Sequence, residues 1–282
     1  MSQKILIAGC GDVGNALGRR MIQSGHQVWG IRRTVSALSP GIEPWPVDLT
    51  DRGSLRAPPT EFDVMVYAAS ADRRDAESYR ATYVDGLRHT IDSLRDAGSP
   101  LTRILFTSST AVYGQSQGEW VDEESTTAPR RFNGEILLEA EDVVTALDGG
   151  VVLRLSGIYG PGRTRLLRKV WSGEATATDS WTNRIHVEDC GAALAHLIQL
   201  EKPASVYLGS DDAPVTTAEV VQWMSRQLGV DSPPAGNAET VNKRCRNARL
   251  VQSGFTFIYP TFREGYAPMV SEFLETVRPS DG

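Results

Sequence analysis

The sequence is poor in cysteine and has no excess of positive charge. Its 282 residues include three cysteines, Cys10, Cys190 and Cys245, an odd number spread along the chain without a CxxC pair. This spacing argues against both a disulfide framework and a structural zinc site. The formal net charge is −6 and the pI about 5.3, so the chain offers no basic field for a phosphate backbone. We therefore expect no nucleic acid partner.

Long apolar runs and metal-ligand spacings are also absent. No stretch of about 18 apolar residues is present to span a membrane, and the opening MSQKILIAGC lacks the charged segment and long apolar stretch of a signal peptide. His186, Glu188 and Asp189 lie close together, but acidic residues before a helix are better explained as stabilising its N-terminus. We therefore expect a cytoplasmic protein that binds neither a membrane nor a metal ion.

What the chain does contain is an alternation of short β-branched runs and longer segments of helical period. The predicted strands are Lys4–Ala8, Gln27–Ile31, Val64–Ala68, Arg103–Thr107 and Val151–Leu155. The predicted helices are Gly14–Ser24, Thr82–Ala97 and Glu135–Leu147. This alternation is typical of the α/β class, with a doubly wound parallel sheet covered by helices on both sides.

The alternation weakens after about residue 160, which indicates a second part of the chain. We predict one domain formed by residues 1–160 together with a strand at 204–209 that returns to the main sheet. Residues 161–282 then form most of a smaller C-terminal lobe.

A glycine-rich turn follows the first predicted strand. Gly9, Gly11 and Gly14 have G-x-G-x-x-G spacing between an apolar strand and an amphipathic helix. In this context the first glycine permits a tight turn, the second lets a pyrophosphate approach the backbone, and the third lets helix and strand pack. The N-terminus of the predicted helix, directly after Asp12 and Val13, adds N–H groups and a partial positive charge. The pattern predicts a dinucleotide-binding site.

The second strand indicates which dinucleotide binds. A site for NAD usually has an acidic residue near the end of this strand to bind the ribose 2′-hydroxyl, but no acidic residue lies between Asp12 and Glu43. The strand is followed instead by Arg32 and Arg33, whose permanently charged guanidinium groups suit a 2′-phosphate. We predict NADP(H) as the cofactor, in preference to NAD(H).

Further residues in the expected order fit the same ligand. In PVDLT, Asp48, next to Leu49, follows a short third strand, where its carboxylate can accept a hydrogen bond from the adenine amino group. The fourth strand ends in YAAS, and the small side chains of Ala68, Ala69 and Ser70 leave room for a ribose and its phosphates.

The order of these motifs resembles the extended branch of the short-chain dehydrogenase/reductase superfamily, the NAD(P)-dependent epimerase/dehydratase group. The shared motifs are the glycine turn, VDL at 47–49, YAAS at 67–70, TSSTAVYG at 107–114, RLSGIYGPGR at 154–163 and NRIHVEDCGAAL at 183–194. The resemblance covers residue 3 to about 230. It implies a Rossmann-type sheet, a small C-terminal substrate lobe, and a nucleotide sugar or a related carbonyl or hydroxyl compound as substrate.

The resemblance also implies chemistry that this chain has only in part. Family members use a Ser or Thr together with a Tyr-x-x-x-Lys pair on the next helix, and the tyrosine moves the proton. The family's serine falls on Ser109, but no lysine lies between Lys4 and Lys169 and no tyrosine between Tyr113 and Tyr159. The chain is therefore identified as an atypical extended member that lacks this pair.

Two hypotheses of function follow. In the first, the protein is an atypical oxidoreductase, epimerase or dehydratase in which Ser109 orients the substrate and Tyr113, or an ordered water, moves the proton. An alternative role for Tyr113 is to pack its ring beside the pocket without taking part in proton transfer. The hydroxyls of Thr107 and Ser109 could bind the substrate or the nicotinamide, or they could equally form hydrogen bonds with backbone groups where the strand ends. In the second, the protein is an NADP(H)-binding sensor without turnover. The expected partner is a small molecule, with an anionic sugar nucleotide as a candidate, and a homodimer is a candidate assembly.

Overall fold

The computed structural model describes residues 2–238 and 241–277 of the chain. Its strands, in chain order, are β1 (Lys4–Ala8), β2 (Gln27–Ile31), β3 (Ile42–Trp45), β4 (Val64–Tyr67), β5 (Arg103–Ser109), β6 (Gln117–Val121), β7 (Gly150–Leu155), β8 (Gly157–Tyr159), β9 (Trp181–Thr182), β10 (Arg184–His186), β11 (Val206–Gly209), β12 (Val215–Thr216) and β13 (Asn242–Cys245). Its α-helices are α1 (Asp12–Gln23), α2 (Ala76–Arg80), α3 (Gly86–Asp96), α4 (Phe132–Thr145), α5 (Arg165–Trp171), α6 (Val187–Gln199), α7 (Thr217–Leu228), α8 (Ala248–Gln252) and α9 (Phe262–Val277).

A seven-stranded sheet has the order β11–β7–β5–β4–β1–β2–β3. Parallel pairing runs from β3 through β2, β1, β4 and β5 to β7. Strand β4, with sequence VMVY, is buried at every position, as expected for a parallel strand covered on both faces. The predicted doubly wound α/β fold is confirmed, and the predicted returning strand is β11 at the sheet edge.

The chain changes direction across the sheet between β1 and β4. From β1 it continues to β2 and β3 on one side, and it later returns to build β4, β5 and β7 on the other. Because such parallel connections are right-handed, α1 and α3 lie on opposite faces of the sheet. A ligand crevice is expected where the strand order reverses, outside the carboxyl ends of β1 and β4.

Several elements near this crevice differ from the predicted bounds. Helix α1 begins at Asp12 rather than at Gly14, and β4 ends at Tyr67 rather than at Ala68. Strand β5 continues to Ser109, two residues beyond its predicted end, so Ser108 and Ser109 also belong to the strand. Helices α2 and α3 are joined through a π-helical turn at Ala81–Asp85, so this helical segment begins at Ala76 rather than at Thr82. A wide helical turn of this kind is often found at functional sites.

The chain divides into two compact units. The first comprises Met1–Gly114, Thr126–Leu155 and Cys190–Leu208, and the second comprises Gln115–Ser125, Ser156–Asp189 and Gly209–Gly282. The domain boundary near residue 160 stays a prediction; residue 160 lies within the second segment of the second unit.

The second unit has its own core. Three two-stranded pairings, β8 with β10, β9 with β12 and β6 with β13, accompany α5, α7, α8 and α9. Apolar residues from α5, α7 and α9 pack together, and they include Leu167, Val170, Val220, Met224, Phe262, Met269 and Phe273. Within the described ranges, no helix has both the length and the apolar character needed to cross a membrane.

Candidate functional site

A cavity of about 260 Å³ opens at the carboxyl ends of β1, β2 and β4. It is lined by Gly9, Cys10, Gly11, Ile31, Arg32, Arg33, Val47, Asp48, Leu49, Thr50, Ala68, Ala69, Ser70, Asp72 and Thr82. Among the residues predicted to contact a cofactor, Asp12, Val13, Gly14 and Thr107 are not part of this lining, and the others are. The sequence reasoning missed Asp72, because its partner is far away in sequence.

The glycine turn shapes one wall of the cavity. Gly9 has φ +83°, and a Cβ there would lie 2.3 Å from the Cα of Ala69, so only glycine fits. At Gly14 an added Cβ would lie only 2.9 Å from Cγ2 of Ile7, so the glycine allows α1 to pack closely on β1. At Gly11 a Cβ would meet no atom within 4 Å.

The open space at Gly11 adjoins the beginning of α1. Gly11 is the N-cap residue, and as a glycine it has no side chain of its own to cap this helix end. The first N–H groups of a helix need partners from outside it, and together with the helix dipole they favour an anion. The turn therefore fits the pyrophosphate of a dinucleotide.

Charged side chains line the opposite part of the cavity. Arg33 donates through Nη1 and Nη2 to Oδ2 and Oδ1 of Asp72, each at 2.7 Å. Oδ2 of Asp48 lies 3.9 Å from Nη1 of Arg33. Arg32 donates through Nη1 to the carbonyl oxygen of Cys10 at 3.3 Å. The two predicted guanidinium groups are thus at the cavity, and Arg33 already holds a carboxylate.

Asp48 also has a second partner. Its Oδ1 accepts from the backbone N–H of Thr50 at 2.9 Å and from the Thr50 hydroxyl at 2.7 Å. These two hydrogen bonds, with a smaller contribution from Arg33, lower the pKa of Asp48, so the carboxylate is ionised at neutral pH and suited to accept hydrogen bonds.

Tyr83 is a further residue at this edge that the sequence analysis did not predict. It lies in the π-helical turn between the rings of Tyr79, at 5.1 Å, and Phe106, at 6.4 Å. Burial raises the pKa of Tyr83, while its hydrogen bonds to Ala71 and Ser70 act in the opposite direction. The phenol therefore stays protonated beside Ser70, which lines the cavity.

The hydroxyls at the end of β5 have backbone partners. Thr107 donates through Oγ1 to the carbonyl oxygen of Tyr67 at 3.2 Å. Ser109 accepts through Oγ from the backbone N–H of Ala111 at 3.2 Å, in the short 3₁₀ turn that follows the strand. In this arrangement Ser109 uses an oxygen lone pair, and its hydroxyl hydrogen is not part of that bond.

A buried ionic network fixes Tyr113. Arg154 donates through Nη2 to Oε2 of Glu141 at 2.6 Å and through Nη1 to the hydroxyl oxygen of Tyr113 at 2.9 Å. Ser108 donates to Oε1 of Glu141 at 2.5 Å. Burial by itself lowers the pKa of Arg154, but its bonds to Glu141 and Tyr113 outweigh burial, so the net shift is upward. The relative exposure of Tyr113 is 4%.

Helix α4, which follows in the chain, carries no tyrosine and no lysine in its sequence FNGEILLEAEDVVT. By the spacing of the family's motif, its tyrosine would fall on Arg131, Phe132 or Asn133; Arg131 is the N-cap residue of α4, and the other two lie in its first turn. Hence this helix offers no phenol and no ammonium group.

The motif HVED belongs to the second unit and has a structural role there. His186, 2% exposed, accepts through Nδ1 from the backbone N–H of Glu188, and burial lowers its pKa to about 4. Asp189 accepts from the backbone N–H groups of Ile258 at 2.7 Å and Tyr259 at 3.1 Å. Asp189 therefore tethers a distant segment in addition to lying in the first turn of α6. Within the described ranges no group of His, Cys, Asp and Glu side chains could hold a metal ion.

A parallel sheet that opens a phosphate-sized space over a glycine turn is the arrangement of Rossmann-type dinucleotide-binding proteins, and the first unit is of this class. The sequence profile of the NAD dependent epimerase/dehydratase family matches residues 5–209. The chain belongs to this family, as the motif resemblance predicted.

Individual relatives agree with this assignment. The chain is 30% identical over 279 residues to Protein YeeZ of Escherichia coli strain K12, with 92% of this chain and 97% of YeeZ covered. A solved structure from Methylobacillus flagellatus is 37% identical, with a TM-score of 0.84 and coverage of 97% of this chain and 99% of the other. MoeE5, solved with UDP-glucose and NAD, has the same fold at 22% identity, with a TM-score of 0.78 and coverage of 98% and 100%.

Proposed function

We propose that the protein is an NADP(H)-dependent oxidoreductase of the epimerase/dehydratase type, atypical in its proton-transfer residues, that acts on a small carbonyl or hydroxyl compound. The observation that carries this proposal is the open space over Gly11 at the N-terminus of α1. The turn at residues 9–11, whose own N–H groups donate to the carbonyl oxygens of Ile31 and Gly9, would give the pyrophosphate room, the N-terminus of α1 would bind it, and Asp48 would hold the adenine. When bound, the nicotinamide supplies or accepts the hydride.

Two features support NADP(H) in preference to NAD(H). Arg32 and Arg33 line the same cavity as the glycine turn, where a 2′-phosphate would need positive charge. No carboxylate is available from residues 13–42 to accept from a 2′-hydroxyl. The carboxylates of Asp48 and Asp72 also line the cavity, and they oppose this preference.

The proposed substrate class rests on the relatives of this chain. The complex of MoeE5 with UDP-glucose supports a sugar nucleotide as the kind of molecule that this fold accepts. A cytoplasmic location and a homodimer stay predictions.

Tyr113 and Ser109 are the proposed catalytic residues. Arg154 donates to the Tyr113 oxygen, and a donor at that oxygen stabilises the charge that forms when the phenol gives up its proton. Ser109 would orient the substrate oxygen through its hydroxyl hydrogen. In this proposal, Tyr113 in the turn after β5 and Arg154 on β7 take the place of the Tyr-x-x-x-Lys pair on the next helix.

The second candidate function is an NADP(H) sensor without turnover. Its support is the environment of the same two residues: Tyr113 is buried and bonded to Arg154, and Ser109 bonds the backbone of the turn. In this case dinucleotide occupancy would alter a surface that a partner binds.

Turnover by the dinucleotide-loaded protein distinguishes the two functions. The protein should be titrated with NADPH and NADH by fluorescence and then screened against panels of carbonyl compounds and sugar nucleotides. We expect turnover that falls on the order of a hundredfold in Tyr113→Phe, and a smaller loss in Ser109→Ala. Tyr207→Phe removes an equally buried hydroxyl, which accepts from the N–H of Ala204, and should leave turnover unchanged. Tight binding without turnover on any panel would support the sensor instead.

A further inference from the structure

An ion pair bridges the carboxyl end of β1. Arg33 follows β2, Asp72 follows β4, and β1 lies between these two strands in the sheet. The pair therefore joins two loops across the glycine turn, and both of its members line the cavity. Both bonds are 2.7 Å long, although each side chain is exposed, at 59% and 61%.

The bond geometry sets up a competition. Asp72 takes one N–H from each terminal nitrogen of Arg33, so it occupies the edge formed by Nη1 and Nη2. A phosphate that binds bidentately needs an edge of this kind. Asp48, 3.9 Å from Nη1, adds a second negative charge near the position that a phosphate would take. A 2′-phosphate that approaches Arg33 therefore finds this edge of the guanidinium already bonded to the carboxylate of Asp72.

We infer that Asp72 sets the preference of this site between NADP(H) and NAD(H), because its carboxylate competes with the 2′-phosphate for Arg33. This inference rests on the proposed function, in which the cavity takes a dinucleotide. NAD(H) has no 2′-phosphate and binds with the ion pair intact. A 2′-phosphate of NADP(H) that binds the Nη1–Nη2 edge of Arg33 requires the pair to open, which an exposed pair allows because it is weak.

The ionisation of Asp72 keeps this competition active at neutral pH. The hydrogen bond from Arg33 lowers the pKa of Asp72 despite a small opposing effect of burial. The other charged groups around the pair have their own partners: Asp48 is bonded by Thr50, and Arg73 is bonded to Asp75 at 2.9 Å. Hence Asp72 is the carboxylate whose removal releases Arg33 most directly.

The test is the ratio of the two dissociation constants in Asp72→Asn. Binding of NADPH and NADH to the full chain is measured by fluorescence, and binding of adenosine 2′,5′-bisphosphate and 5′-AMP by calorimetry. We expect NADPH and the bisphosphate to bind about tenfold more tightly to Asp72→Asn, while NADH and 5′-AMP change less than about twofold. In the double variant with Arg33→Ala, the gain should disappear.

Glu77→Gln is the matched control. Glu77 is 90% exposed, lies 3.9 Å from Arg73 and is outside the cavity lining, and this variant removes the same charge. If the ratio in Asp72→Asn equals that in Glu77→Gln, the inference is overturned. If NADPH binds more weakly to Asp72→Asn, Asp72 positions Arg33 for the phosphate, and the inference is also overturned. If the unaltered protein binds none of the four probes, the proposed function itself fails.

Discussion

Gly9→Ala is expected to destabilise the protein by about 2–5 kcal/mol. A left-handed backbone conformation costs an L-residue about 1–2 kcal/mol, and Gly9 has φ +83°. The added Cβ would also lie 2.3 Å from the Cα and 2.4 Å from the backbone nitrogen of Ala69, so β1 and the loop after β4 would have to separate. Overpacking of this kind costs about a further 1–3 kcal/mol. Urea denaturation monitored by circular dichroism measures the loss.

Gly25→Ala separates the two causes. Gly25 has φ +82°, but a Cβ there would meet no atom within 4 Å. This variant should lose only the conformational part, about 1–2 kcal/mol. Equal losses in the two variants would show that the close approach of Ala69 does not constrain the turn.

Glu141→Gln is expected to destabilise the protein by about 3–5 kcal/mol, because it leaves the buried guanidinium of Arg154 without its anion. Glu141 and Arg154 are 3% and 6% exposed, and the carboxylate accepts from Nη2 and Nε of Arg154 and from the hydroxyl of Ser108. The free energy of unfolding measured in urea gives the size of the effect.

The control for this variant lies on the same helix. Glu139 is partly exposed and pairs with Arg80 at 2.8 Å on the surface, so Glu139→Gln should change stability little. The double variant Glu141→Leu with Arg154→Met should recover much of the loss, since an apolar pair of similar volume leaves no buried charge. A loss in Glu141→Gln no larger than that in Glu139→Gln would mean that the pair is not buried as described.

The main sheet could be predicted because its signals are local. β1 and β2 have the predicted bounds, since each is a short apolar run with a turn after it. The proline-rich stretch at 39–46 predicts a loop before a short third strand, and this prediction is wrong: β3 lies inside it. Its Pro44 is tolerated because an edge strand needs hydrogen bonds on one side only. A proline-rich sequence is equally typical of a loop between two elements and of an edge strand.

The glycine positions of the site could also be predicted, because spacing determines the turn. The ionic contacts could not: Asp72 is 39 residues from Arg33, and no sequence signal tells which of several neighbouring acidic residues will meet a given arginine. The same holds for Arg154, whose partners are on α4 and in the turn after β5. These ionic partners are determined by the tertiary structure and not by the local sequence.

Calorimetric titration of NADPH into the unaltered protein and into Gly11→Ala tests the dinucleotide site most directly. A Cβ at Gly11 meets no atom within 4 Å, and replacing a glycine N-cap by alanine costs about 1 kcal/mol, so the free energy of unfolding should fall by no more than about that amount. The same methyl group would occupy the space of the pyrophosphate, and binding should weaken on the order of a hundredfold. Equal binding by the two proteins, or no binding of either NADPH or NADH by the unaltered protein, would contradict the account.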